Sequence, residues 1–240
     1  MIELINEVDS TNRYLADELK KRQLPSGFTI CAEQQTHGRG QAGNSWESEP
    51  YQNLLFSVYL HPADVPANRS FVISEMASLC VKYTLDNYIP DVYVKWPNDV
   101  YYRDKKIAGI LIENVLMDGK TEQSIIGIGI NINQRKFVSD APNPVSLSQI
   151  TGIHYERTDV LSAFRKIFKE QSKRLNDNRF DEIHKDYLDA IYRRDGHHNF
   201  SDSDGIFEAA IHDVEPTGYL VLKRTDGCLS KYAFKEVVFL

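Results

Sequence analysis

A glycine-rich polar segment directly after an apolar strand is the feature that most constrains the fold of this chain. Residues 38–43 are GRGQAG and match the G-x-G-x-x-G pattern of dinucleotide-binding folds. That pattern functions where a helix follows the glycines, because the helix N-terminus binds the pyrophosphate. Residues 44–50, NSWESEP, have no helical apolar period. We therefore predict a loop that approaches a ligand, and a Rossmann-type NAD enzyme is disfavoured.

The composition is that of a folded protein with an acidic balance. The 240 residues are 42% hydrophobic, and the formal net charge is −6. Nucleic-acid-binding domains usually carry a basic face, so we expect no DNA binding. No apolar run approaches the length that spans a membrane, and the start, MIEL, lacks the basic region of a secretory signal. The three cysteines have no short spacing, and we expect a cytoplasmic protein without disulfides or a zinc site.

Apolar periodicity divides the chain into two regions. Segments such as 53–60 and 107–115 are typical of strands, and the spacing of Leu161, Phe164 and Phe168 is typical of an amphipathic helix. A polar stretch then precedes three expected short strands, at 207–214, 219–223 and 231–239. We predict a body of strands and helices over residues 1–193 and a small β-barrel over residues 194–240.

Basic and aromatic side chains beside loops are candidates for binding a ligand. Arg39 can hold a carboxylate or phosphate through paired hydrogen bonds, and Trp46 can cover a flat ring. Lys95 closes one apolar strand and Lys106 opens another. Any one of these side chains alone is more often simply solvated. Their concentration at strand ends of an acidic chain favours a common site.

Asn98 and Asp99 lie between the two lysines, after Pro97. Their side-chain oxygens can bind a hydrated Mg²⁺ or contact the edge of a base. Asn and Asp are equally typical of an ordinary turn after a proline. The residues alone leave both interpretations open.

Two further groups of residues suit a neutral ligand. Gly127, Gly129 and Asn131 alternate, so they share one face of a strand, where glycine permits close approach by a ligand or another backbone. A bulge or tight helix packing explains the same glycines equally well. Residues 10–12, STN, begin a helix, and their hydroxyls and amide also suit an uncharged polar ring such as a urea.

In this order, the segments resemble the biotin–protein ligase family. The matching motifs are DSTN at 9–12, the GRG loop ending in Trp46, KWPND at 95–99, K-x-A-G-I-L-x-E at 106–113 and G-x-G-I-N at 127–131. The resemblance covers residues 6–133 and resumes weakly near Gly218. It implies an α+β fold, a class II synthetase-like mixed sheet flanked by helices, with a small C-terminal SH3-like barrel. It also implies a monofunctional ligase without the N-terminal DNA-binding domain of bifunctional members.

The resemblance implies a role for each matched residue. Arg39 and Lys106 would be catalytic and grip the biotin carboxylate and the ATP α-phosphate, and Asp99 would lie near the metal of Mg-ATP. The biotin-binding residues would be Ser10, Thr11, Asn12, Gln35, Gly38, Arg39, Gly40, Gln41, Lys106, Gly109, Gly127 and Gly129. The ATP-binding residues would be Trp46, Lys95, Asn98 and Asn131.

The loop departs from the family pattern GRG-R-x-G-R. Gln41 and Asn44 replace the two later arginines, and Ala42 also differs. Less positive charge over a bound intermediate would loosen its retention. The division of labour within the loop is therefore open.

The implied reaction is ATP-dependent biotinylation of a lysine on a biotin carboxyl carrier domain, through biotinyl-5′-adenylate. ATP and Mg²⁺ would be required, biotin would be a substrate, and a homodimer is possible. A lipoate– or octanoate–protein ligase of the same fold is the alternative, and it would need a long aliphatic tunnel. A non-catalytic binding module built on the terminal barrel is a third reading.

Overall fold

The computed structural model describes residues 1–139 and 142–240. Both helices and strands occur up to about residue 190, and strands alone follow. The bounds in chain order are β1 Ile2–Val8, α1 Thr11–Lys21, β2 Thr29–Gln35, β3 Leu54–Leu60, α2 Phe71–Leu85, β4 Val92–Lys95, β5 Asp99–Tyr102, β6 Lys105–Met117, β7 Lys120–Ile130, α3 Leu147–Thr151, α4 Arg157–Asn176, α5 Phe180–Ala190, β8 His198–Asp202, β9 Gly205–Val214, β10 Leu220–Arg224, β11 Leu229–Tyr232 and β12 Val238–Phe239.

The first seven strands form one mixed sheet in the order β1-β2-β3-β7-β6-β5-β4. β1 and β2 are parallel, and the other neighbours are antiparallel. A parallel pair needs a crossover connection, which α1 supplies. The predicted α+β class with a mixed sheet flanked by helices is confirmed.

The two faces of this sheet differ in character. On β7 the even-numbered isoleucines, such as Ile126 and Ile128, belong to the main apolar core. The odd-numbered Ile125 belongs to a small cluster with Leu15 of α1. Because side chains alternate along a strand, Gly127 and Gly129 share the α1 face. A helix packed on only part of this face leaves room for a cavity beside it.

The last five strands form a second, antiparallel sheet in the order β11-β10-β9-β8-β12. Three strands were expected here. β8 was missed because Phe200 is its one fully buried side chain, so it lacks an apolar period. The segment predicted at 231–239 divides into β11 and β12. A C-terminal β unit is confirmed, and its closure into an SH3-like barrel stays a prediction.

Two side chains join the second sheet to the rest of the chain. The Trp96 indole N–H donates to the Gly218 carbonyl at 2.9 Å, and Trp96 is only 5% exposed. His184 of α5 lies between two carboxylates, with Nδ1 2.7 Å from Glu75 of α2 and Nε2 3.0 Å from Asp213 of β9. The Trp96 contact links the second sheet to the first, and the His184 contacts link it to the helical layer.

In the part of the chain that the structure describes, no helix is long and apolar enough to cross a membrane.

The His184 contacts predict a pH-dependent stability. The hydrogen bond with Glu75 is the main reason that the pKa of His184 lies above its ordinary value of 6.5, and Asp213 also raises it. The folded state therefore binds the proton more tightly than the unfolded state. The contribution is full below pH 6.5 and is lost as the pH rises through the folded-state pKa. We expect the free energy of unfolding, measured by urea denaturation, to fall between pH 6 and pH 9.

His184→Gln should remove this pH dependence and cost about 1–3 kcal/mol at pH 6, because hydrogen bonds to charged groups are lost. His212→Gln is the matched control, since His212 lies on the same strand as Asp213 and is exposed. If the free energy of unfolding of His184→Gln depended on pH as in the wild type, His184 would not be the group that titrates.

Candidate functional site

A cavity of about 640 Å³ opens beside α1 and extends to the last residues of the chain. Most of the predicted site residues line it. They are Ser10, Thr11, Asn12, Gln35, Arg39, Gly40, Gln41, Trp46, Lys95, Asn98, Asp99, Lys106, Gly109, Gly127 and Gly129. Gly38 and Asn131 are not part of the lining. The structure thus brings together residues that are up to about 120 positions apart.

One end of the cavity is an uncharged hydrogen-bonding surface at the start of α1. The Thr11 N–H donates to Gln35 Oε1 at 2.7 Å, and the Thr11 hydroxyl lies 3.1 Å from the same oxygen. Ser10, Thr11 and Asn12 are all at most 4% exposed. Buried polar groups need hydrogen-bond partners, and these bonds fix the directions of Thr11 and Gln35 before any ligand arrives.

Asn12 is at the centre of this network. The hydroxyl of Ser57 donates to Asn12 Oδ1 at 2.6 Å. The Asn12 amide donates to Glu113 Oε2 at 2.7 Å and to the Leu111 carbonyl at 3.3 Å. Sequence analysis assigned no role to Ser57 or Glu113. For Ser57 a signal existed, since it is the one strongly polar residue of the strand LLFSVYL.

Three glycines replace side chains on the sheet beneath the cavity. A Cβ on Gly127 would lie 2.3 Å from Asn12 Oδ1. On Gly109 and Gly129 it would lie 2.7 Å and 2.4 Å from the Trp46 ring. These glycines are therefore explained by close approach of side chains to the strand backbone, not by a bulge.

The predicted loop folds into a small hairpin that carries Arg39 and Trp46. The Gly40 N–H donates to the Asn44 carbonyl at 2.7 Å, and the Trp46 N–H donates to the Gly38 carbonyl at 3.0 Å. A Cβ on Gly38 would lie 2.7 Å from the Trp46 carbonyl, so this glycine allows the hairpin to close. Gly38 supports the loop from outside the cavity wall.

Two cations in the middle of the cavity each face a carboxylate. Arg39 Nη2 lies 3.1 Å from Glu113 Oε2, and Lys106 Nζ lies 2.7 Å from Asp99 Oδ1. Burial raises the pKa of Asp99, while the Lys106 ammonium acts in the opposite direction. The Lys106–Asp99 pair places an ammonium beside the cavity, while the carboxylate keeps the net charge of the pair small.

Aromatic rings surround the third cation, Lys95. Its Nζ lies 4.6 Å from the ring centre of Tyr101, 5.3 Å from that of Phe239 and 5.9 Å from that of Tyr192. It also donates to the Tyr101 hydroxyl at 3.2 Å. Burial lowers the pKa of Lys95, and Asp99 opposes this shift. An arriving anion would restore part of the solvation that this ammonium lacks.

Two amides predicted to contact nucleotide hold backbone in this structure. Asn98 Nδ2 donates to the Ile110 carbonyl at 2.6 Å. Asn131 Nδ2 donates to the Val145 carbonyl at 3.2 Å. Asn131 is 3% exposed, and its Oδ1 has no hydrogen-bond partner among the described residues. Both side chains shape the neighbourhood of Lys106.

The donor set does not form a metal-binding cage. Within residues 1–139 and 142–240, no group of three or more His, Cys, Asp or Glu side chains is positioned to hold a metal ion. Asp99, the residue predicted to lie near a metal, is paired with Lys106.

Comparison with known sequences identifies relatives of one kind. Residues 4–131 match the model of the Biotin/lipoate A/B protein ligase family. The bifunctional ligase/repressor BirA of Salmonella typhimurium is 38% identical over 167 residues, which cover 68% of this chain and 50% of that protein. The biotin–[acetyl-CoA-carboxylase] ligase of Mycobacterium tuberculosis is 29% identical over 72% of this chain and 64% of its own length. The chain thus spans about half the length of the first of these relatives.

Comparison with solved structures covers the whole chain. The biotin protein ligase from Aquifex aeolicus in complex with biotin and ATP has a TM-score of 0.78 and 26% identity, over 100% of this chain and 98% of that one. The biotin protein ligase from Leishmania major in complex with biotinyl-5-AMP has a TM-score of 0.60 and 25% identity, over 97% and 98%. Both sheets are therefore included in the likeness.

The glycine surface predicts a spectroscopic change. In Gly129→Ala the new methyl group would overlap the Trp46 ring, so we expect the indole to move into water and tryptophan emission to shift to longer wavelength. Trp46→Phe identifies the signal, because the other tryptophan, Trp96, is buried. Ile128→Val, on the opposite face of β7, is the control and should leave emission unchanged. Unshifted emission in Gly129→Ala would mean that the ring does not rest on this surface in solution.

Proposed function

The chain belongs to the biotin/lipoate A/B protein ligase family, and on that premise we propose that it activates biotin with ATP and transfers it to a lysine of a carrier protein. One observation carries the proposal. A single cavity joins an uncharged hydrogen-bonding end, a middle with two cations and an end with a half-buried lysine among aromatic rings. Biotin and ATP present these same features in the same order: a neutral ureido ring, two groups that react near negative charge, and a nucleotide.

We assign the ring of biotin to the start of α1. Donors and acceptors of Ser10, Thr11, Asn12 and Gln35 suit a urea, which offers both N–H groups and a carbonyl. Gly127 and Gly129 would form the floor, with Gly40, Gln41 and Gly109 completing the enclosure and Gly38 supporting the loop behind it. Ser57 and Glu113 support this end by fixing Asn12.

The middle of the cavity suits the adenylation step. An oxygen of the biotin carboxylate attacks the α-phosphorus of ATP, a P–O bond forms, and pyrophosphate leaves with the electron pair of the broken bond. Negative charge accumulates on the phosphoryl oxygens, and Arg39 and Lys106 would stabilise it with little reorganisation. A lysine amine of the carrier then attacks the acyl carbon, and AMP leaves. The loop that carries Arg39 would shield the reactive anhydride from water.

The remaining cations and rings suit the nucleotide. Trp46 would cover the base, Lys95 would bind a phosphate or ribose oxygen, and Asn98 and Asn131 would contact the nucleotide after small changes in their backbone partners. Mg²⁺ would enter as Mg-ATP, with Asp99 the nearby carboxylate.

We extend the proposal to the setting of the enzyme. The acceptor would be a biotin carboxyl carrier domain of a biotin-dependent carboxylase, encountered in the cytoplasm. The absence of operator-type DNA binding, the possible homodimer and the division into residues 1–193 and 194–240 stay predictions. The net charge of −6 supports the first of these.

The lipoate or octanoate alternative is less well supported. Either acid has a chain without ring amides, which favours an aliphatic tunnel. Here the end of the cavity at α1 is lined by the polar side chains Ser10, Thr11 and Asn12. Burying an aliphatic chain against these groups would leave no partner for ligand-facing polar atoms.

Pyrophosphate release from Mg-ATP tests the function directly. We expect release with biotin and little release with lipoate or octanoate at equal concentration. A carrier domain with its acceptor lysine should then become biotinylated, and a carrier lacking that lysine should not. Preference for lipoate or octanoate would favour the alternative, and no release with any acid would contradict the proposed activity.

Lys106→Ala should reduce the rate of adenylate formation by about 10²–10³, the usual effect of losing one transition-state charge donor. Lys105→Ala is a matched control, because Lys105 is the exposed neighbour on the same strand. Single-turnover pyrophosphate release measures both. Activity of Lys106→Ala within threefold of the wild type would exclude the assigned role for Lys106.

A further inference from the structure

Glu113 connects the loop hairpin to the hydrogen-bonding end of the cavity through one oxygen atom. Its Oε2 accepts from Asn12 Nδ2 at 2.7 Å and from Arg39 Nη2 at 3.1 Å. Asn12 belongs to α1, Arg39 to the loop and Glu113 to β6, so the carboxylate joins three separate segments. No other acidic side chain contacts Arg39 among the described residues.

The two contacts differ in how firmly they are held. Asn12 is 2% exposed and keeps three further fixed neighbours: Ser57, the Leu111 carbonyl and the Gly127 backbone. The side chains of Arg39 and Glu113 are 37% and 43% exposed. An ion pair this exposed contributes little to stability and exchanges its partner readily. The Arg39 contact is therefore the one that can be broken without disturbing the ring-binding end.

The guanidinium of Arg39 can bind an anionic group of a ligand in place of Glu113. It is the single Lys or Arg residue in the segment GRGQAGNSW, residues 38–46. A ligand carboxylate or phosphoryl group entering the cavity would compete with Glu113 for this cation. Glu113 would also repel such an anion if Arg39 remained on it.

We propose that Glu113 is a positioning residue that holds Arg39 and its loop when no anion is bound, and yields Arg39 to the carboxylate or phosphoryl group of the ligand. The inference rests on the proposed function for the identity of that ligand. The contact with Asn12 places Glu113 beside the ring-binding end. The same carboxylate therefore contacts the residue that would bind the ring and the arginine that changes its partner. The exchange makes the partner of Arg39 depend on whether the ligand carries negative charge.

Glu113→Gln tests the exchange with two ligands that differ in one group. Glutamine retains an oxygen that accepts from Asn12 but lacks the charge that competes for Arg39. Biotin carries the carboxylate, and biotinol has a neutral hydroxymethyl group in its place. By calorimetry we expect Glu113→Gln to bind biotin about two- to fivefold more tightly, the range of an exposed ion pair, and to bind biotinol with unchanged affinity.

Hydrogen exchange tests the same contact without any ligand. The amides of Gly40 and Trp46 report on the hairpin, because both donate within it. In ligand-free Glu113→Gln these amides should exchange faster than in the wild type. Glu122→Gln is the matched control: its side chain is 44% exposed, it lies on the adjacent strand β7, and its partner is His61. It should change neither measurement.

The outcomes separate the two proposals. Failure of the wild type to bind biotin would contradict the proposed function, and the hydrogen-exchange arm would still decide on the contact. Equal changes in biotin and biotinol affinity would overturn the inference, because they would indicate that Glu113 acts only through Asn12. Weaker binding of biotin alone, or unchanged exchange of Gly40 and Trp46, would overturn it as well.

Discussion

The cavity depends on the register in which β6 and β7 pair. Gly109 lies opposite Gly129, and Leu111 lies opposite Gly127. Each glycine in a strand interior costs about 0.5–1 kcal/mol relative to alanine, so this surface is maintained against local preference. A slip of one residue would turn Ile128 toward the cavity and the glycines toward the core. The indole of Trp46 and the amide of Asn12 occupy the space that this register opens.

Each of two cations in the cavity is paired with a carboxylate, so the net positive charge of the cavity stays small. Arg39 and Lys106 each have a carboxylate partner on β6 or β5. The two pairs differ in exposure, since the side chains of Lys106 and Asp99 are 23% and 22% exposed while those of Arg39 and Glu113 are 37% and 43% exposed. The less exposed pair, Lys106 and Asp99, is therefore the more firmly held of the two. The more exposed pair belongs to a loop, and exchange of partners there is compatible with movement of that loop.

Local pattern and the family resemblance together predicted most of the fold and much of the cavity lining. Alternation along β7 placed the glycines on one face, and the lack of a helical period after Gly43 disfavoured a Rossmann-type fold. Long-range partners were beyond such reasoning. Ser57 meets Asn12 across 45 positions and Glu113 meets it across 101, so neither contact leaves a trace in local spacing. Asn131, predicted from its alternation with the glycines, lies just past the end of β7 and binds the Val145 carbonyl instead of lining the cavity.

The second sheet completes the cavity lining, although the sequence separates it from the other lining residues by a polar stretch. The motif KWPND contributes on both sides of this division: Lys95 lies near the Phe239 ring, and Trp96 donates to the Gly218 carbonyl. Cation–π contacts of this kind contribute about 0.5–2 kcal/mol, and partial burial of the Lys95 side chain removes part of the hydration of its ammonium. The Lys95 ammonium is therefore only partly compensated for its lost hydration. Phe239 of the second sheet contributes to that loss by covering the ammonium. A ligand anion at this end would be bound by a cation that the rest of the protein leaves incompletely solvated.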